Sequence, residues 1–94
     1  MSGDEAAGAR IAAEIRELLA RPGHVAEHAA ELLPRLRTDI DAARSAGALD
    51  SDPFVDRAIE DLATALAVDE RGRRSGKSAD AARRILSALA RALG

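Results

Sequence analysis

The sequence predicts an all-α protein, a small bundle of four helices, and three observations predict it. Apolar residues recur at steps of three and four in four separate stretches, the spacing that lines one side of an α-helix. Short groups rich in Gly, Pro, Asp and Ser stand between the stretches and read as turns. The chain has 94 residues and no cysteine, which gives one domain, residues 1–94, with one core and no disulfide staple. An apolar stripe has to be covered, so the four stripes are expected to face one another.

The first helix is expected over residues 4–20. Asp4 and Glu5 suit the positive end of a helix dipole, and Ile11, Ile15, Leu18 and Leu19 form its stripe. Arg21-Pro22-Gly23 stops it. The second helix, residues 24–46, carries the longest seam in the chain: Val25, Ala29, Leu32, Leu33, Leu36, Ile40 and Ala43. It is therefore read as the central wall of the bundle. Pro34 lies inside it, and because the apolar period keeps its phase across the proline, one helix kinked at Pro34 is expected in preference to a break.

Gly47 ends that element, and Asp52-Pro53 starts the next, with Asp52 as N-cap and Pro53 in the first helical position. The third helix, residues 53–69, offers Val55, Ala58, Ile59, Leu62 and Leu66 to the core, with Phe54 beside the stripe as a plug for the bundle end. Residues 70–77 are polar, contain Gly72 and Gly76, and read as a mobile loop. Ser78, or Ser75 a turn earlier, is expected to cap a fourth helix over residues 78–93. Its stripe is Ala82, Ile85, Leu86, Leu89 and Leu93, with Lys77, Arg84 and Arg91 in a row beside it.

Composition narrows the function. No apolar run approaches the roughly 18 residues that a membrane span needs, and the start of the chain is acidic and polar, unlike a signal peptide, so a cytoplasmic protein with no membrane partner is expected. Abundant Ala, Arg, Gly, Asp and Leu beside a single lysine, Lys77, is what a GC-rich bacterial genome tends to encode. Phe54 is the sole aromatic residue, which removes the stacking faces on which single-stranded nucleic-acid binding and most small-molecule pockets depend. The net charge of −2 hides an asymmetry: residues 1–70 hold 7 basic and 15 acidic side chains, a net of −8, whereas residues 71–94 hold 7 basic and 1 acidic, a net of +6.

Four stretches invite a chemical reading. His24-Val25-Ala26-Glu27-His28 matches H-x-x-E-H and so resembles the motif of the inverted zinc peptidases, in which two histidines one turn apart hold zinc and the glutamate is general base. That family needs a further glutamate and a larger fold. A surface site from His24, His28 and Glu31 is geometrically open on a helix, yet a solvated helix face explains the same residues, and no metal or other cofactor is expected. Gly72-Arg73-Arg74-Ser75-Gly76-Lys77-Ser78 is similar to a phosphate loop, but the first glycine would stand where Arg71 does, so the spacing fails by one residue. Asp50-Ser51 resembles the start of the phosphopantetheine site of acyl carrier proteins, with Asp52 and Pro53 in place of the apolar residue that follows there. Small secreted helical hairpins of type VII systems share this length, but their Trp-x-Gly turn is absent.

The basic segment is the best functional candidate. Arg71, Arg73, Arg74, Lys77, Arg84 and Arg91 would form one face, and Glu27, Glu31, Asp56 and Glu60 an acidic counterpart on the second and third helices. The bundle itself is expected to be up-and-down or death-domain-like. The function expected is non-enzymatic: an interaction or adaptor module that associates with itself as a homo-oligomer or docks a protein partner. It would be similar in size and charge complementarity to the effector-associated and death-like adaptors of bacterial signalling or defence systems. The alternative is a small nucleic-acid-binding protein that neutralises phosphates with residues 71–91, against which the acidic body counts.

Overall fold

The computed structural model describes the backbone of residues 3–94 and the side chains of residues 7–94; the side chains of Asp4 and Glu5 lie outside them. Four helices follow one another: α1 (Gly3–Ala20), α2 (Val25–Ser45), α3 (Pro53–Ala65) and α4 (Ser78–Leu93). Each consecutive pair is antiparallel. Glu14 of α1 meets Arg35 of α2, Arg44 of α2 meets Asp56 of α3, and the start of α3 at Val55 lies beside the end of α4 at Leu93. Of the two arrangements expected, this is the up-and-down one.

The seam of α2 is one half of a central pair. α2 and α4 form the short diagonal of the bundle, each packs against all three other helices, and α1 and α3 do not meet among the described residues. The core accordingly draws on every stripe: Ile11, Ile15 and Leu18 from α1, Leu32, Leu36 and Ile40 from α2, Val55, Ile59 and Leu62 from α3, and Leu86 and Leu89 from α4. Where α4 lies on α1 the side chains are small. Ala12, Ala82 and Ala90 are buried there, and a methyl group added to Gly8 would stand 2.5 Å from the Leu93 carbonyl oxygen. Glycine is what lets the end of α4 approach α1.

Local chemistry explains the ends. α2 starts after Gly23 (φ 71°) and His24 (φ 55°), two successive residues in the left-handed region, so the chain reverses without a side-chain cap. It runs unbroken through Pro34, which is exposed, and Thr38 Oγ1 donates to the Pro34 carbonyl at 3.0 Å. Gly47 (φ 76°) closes α2: its N–H bonds to the Arg44 carbonyl at 3.0 Å and that of Ala48 to the Ala43 carbonyl at 2.7 Å, a Schellman motif. Asp52 caps α3 as expected, its Oδ1 accepting from the Phe54 N–H at 2.9 Å.

Three expectations are corrected between α3 and α4. The third helix ends at Ala65 and not near residue 69, because the chain turns back on itself: Val68 pairs with Arg74 in an antiparallel bridge, and Arg74 Nε donates to the Leu66 carbonyl at 3.0 Å. That bond supplies an acceptor-rich helix end with a cation. The loop read as mobile is tied together by Asp69, whose Oδ1 accepts from the N–H groups of Arg71 at 2.8 Å and Arg73 at 2.9 Å. Ser78 is not a cap but the first helical residue, buried, and its hydroxyl has no partner; the N-cap is Lys77, whose N–H bonds to Ser75 Oγ at 3.2 Å. Among the described residues no helix is long and apolar enough to cross a membrane.

Candidate functional site

The charged residues singled out in the sequence do not form two opposed faces. Glu27 is in the first turn of α2, where its own backbone N–H, then His24 and Arg74, hold its carboxyl below the usual carboxylate range. Glu31 faces α1, in a polar groove with Glu14, Glu17, Arg21, His28 and Arg35. Asp56 and Glu60 line a third place, the α2–α3 groove, beside Arg37, Asp41 and Arg44. There Asp56 is already spent on Arg44, at 2.6 Å from its Nη1. A carboxylate so engaged is a tie between α2 and α3 before it is a contact for a partner.

The basic residues divide as well. Arg71 and Arg73 are exposed on the Asp69 turn, Lys77 is exposed at the start of α4, and Arg91 is exposed near its end. Arg74 is half-buried and holds the end of α3. Among the described residues no ion pair joins α4 to the acidic helices.

The histidine pair is likewise explained locally. The rings of His24 and His28 are 6.4 Å apart and edge-to-face, and His24 Nδ1 stands 3.5 Å from Glu27 Oε1. His28 lines the groove against α1 together with Glu31. Among the described residues no three His, Asp or Glu side chains come together in a way that would hold a metal ion. Ser51 is exposed in the connection before α3, next to the capping Asp52.

Arg84 borders a groove whose floor is mostly apolar. The groove, of about 200 Å³, lies between α3 and α4 and is lined by Phe54, Arg57, Ala58, Asp61, Arg84, Ile85 and Ala88. The reason for the groove is side-chain size. α3 presents Ala58 and α4 presents Ala88 at the line where the helices touch, and both are too small to fill the furrow between the helix cylinders. Phe54, read from sequence as a plug, sits at the groove's edge with 49% of its surface in water. Asp61 and Arg84 stand on opposite rims of the furrow, and among the described residues neither is in an ion pair.

Sequence reasoning found Arg84 and Phe54 but not Arg57, Asp61 or Ala88. The signal that could have found them is the α3 spacing Phe54, Arg57, Asp61, steps of three and four that track one edge of the helix next to the core stripe. Comparison of the chain with protein-family models, with curated proteins and with solved structures finds no match, so the functional reading rests on this geometry.

Proposed function

We propose that this protein is a non-enzymatic protein–protein interaction module that docks through its α3–α4 face. The observation that supports the reading is the groove with an apolar floor, the half-exposed Phe54 beside it and unpaired charges of both signs on its rim. An apolar centre within a polar rim is the anatomy of a recognition surface, and an aromatic side chain that sheds water on contact is the commonest anchor in one. A small four-helix domain of this kind suits an adaptor in a bacterial signalling or defence system, working in the cytoplasm, and that role calls for no cofactor.

The test is capture of proteins from a bacterial lysate by the immobilised chain and by its Phe54→Asp variant. The substituted residue is in the first turn of α3, where an acid is well placed, so the variant is expected to keep its helical circular dichroism. The wild-type chain is expected to retain a defined protein, or further copies of itself, that the variant releases. Equal retention by both, or by neither, overturns the reading. A second reading, phosphate binding by the exposed Arg71, Arg73 and Lys77 around the Asp69 turn, predicts retention on heparin that falls steeply with salt and survives Phe54→Asp.

A further inference from the structure

We infer that the occupant of the α3–α4 groove is a second copy of this chain, related by a two-fold axis running along the groove. The inference rests on the docking reading above and adds the partner's identity. α3 and α4 are antiparallel, so Phe54 lies toward the Ala88 end of the furrow and Asp61 toward the Arg84 end. A two-fold axis parallel to the helices and lying in the contact plane sets α3 of one copy over α4 of the other without reversing its direction. A two-fold axis across the middle of the groove would instead set α3 on α3 and α4 on α4 end for end, bringing Arg84 toward the partner's Ala88 and Asp61 toward the partner's Phe54 and leaving both charges without a counterpart. Charge selects the first arrangement.

In that arrangement every feature of the groove finds a counterpart in the partner. Asp61 meets the partner's Arg84, and by symmetry Arg84 meets the partner's Asp61, forming across the interface two ion pairs that the single chain leaves open. Phe54 comes down at the level of the partner's Ala88, where the small side chain leaves space for a ring. The apolar stem of Arg57 covers the edge of the contact while its head stays in water. The self-complementarity is what an isologous interface requires: the same patch supplies both the projection and the recess.

Size sets the strength. α4 is 16 residues long, and the face is about 24 Å by about 20 Å at ~1.5 Å rise per residue and a helix diameter of ~10 Å. That is a footprint of about 500 Å² on each copy, below the ~800 Å² of a standard interface. The dimer should therefore form in the micromolar range and dissociate on dilution.

Sedimentation velocity from about 1 μM to about 1 mM, covering the range in which such contacts dissociate, tests it. The wild-type chain is expected to pass from monomer to dimer across the range. Asp61→Arg and Arg84→Asp, each placing like charges in opposition, should raise the dissociation constant by about tenfold or more, and the combined D61R/R84D chain should regain most of the loss. Both positions are exposed, so all three variants are expected to keep the helical signal of the wild type. A wild-type chain that stays monomeric throughout, or a combined variant no better than the single ones, overturns the inference. If the chain stays monomeric while Phe54→Asp still loses a captured protein, the second copy is wrong and the docking reading stands.

Discussion

The two sides of α4 are built to opposite rules. On its inner side, which includes the contact with α1, the helix is sealed: Ala82, Leu86, Leu89 and Ala90 are buried, and Gly8 brings the α1 backbone so near the end of α4 that not even a methyl group fits. Toward α3 the same helix leaves a furrow, with Ile85 half-buried, Arg84 on the rim and Phe54 half in water across from Ala88. Small residues appear on both sides with contrary effects. Between α1 and α4 small residues occur on both partners, so the backbones close and little space remains. Between α3 and α4 the alanines are flanked by Arg57, Asp61, Arg84 and Phe54, charged or half-exposed side chains on the rim, and the space stays open. One side serves stability and the other is available for recognition.

The sealed side should give the largest effects. Leu86 is fully buried, and Leu86→Ala leaves a cavity among the other core side chains. Burial loss and cavity together cost about 3 kcal/mol. Against a total of roughly 5–14 kcal/mol for a chain of this length, that removes between about a fifth and about three fifths of the stability. Urea titration followed by circular dichroism should show the midpoint falling sharply, and a midpoint within error of the wild type would mean that the α1–α4 side is not sealed.

Gly8→Ala sharpens the same point through its sign. Within a helix this exchange ordinarily stabilises by about 1 kcal/mol, because alanine loses less backbone entropy. Here the new methyl group would stand 2.5 Å from the Leu93 carbonyl oxygen, a backbone atom that cannot swing aside as a side chain would. Overpacking of this kind costs about 1–3 kcal/mol, so the net expectation is destabilisation by about 1 kcal/mol and a thermal midpoint lower by several degrees. A rise in the midpoint would show that the end of α4 moves away freely.

How much of this was legible in the sequence follows from the range of the interactions. The helix bodies were, since Ile11, Ile15, Leu36, Ile40, Leu62 and Leu86 announce their burial by spacing alone and the Gly47 and Asp52 signals are local. The end of α3 was not, because Asp69 and Arg74 act through a fold-back whose bonds join residues up to eight apart, and no periodicity records it. The candidate site was legible in its chemistry and not in its grouping. Arg84 stood out by charge and Phe54 by being alone, but their meeting in one furrow depends on α3 and α4 being neighbours. The acidic residues Glu31 and Asp56 read as one face because both are exposed acids on adjacent helices; the rotation of α2 about its axis sends them to different grooves, and a count of charges carries no information on that rotation.

The open side should give the smallest effect on stability. Phe54 keeps half of its surface in water and lies in the first turn of α3, so Phe54→Ala removes part of one aromatic contact and gains helix propensity in return. The two nearly offset, and the expected change is under about 1 kcal/mol when measured at protein concentrations too low for association. The same substitution should weaken association at high concentration by about tenfold, since the ring is the part of the face that water leaves on contact. Leu86→Ala reverses the pattern, costing stability while leaving the exposed face unaltered in whatever fraction stays folded. A Phe54→Ala chain that melts as early as Leu86→Ala would place Phe54 in the core and erase the difference between the two sides of α4.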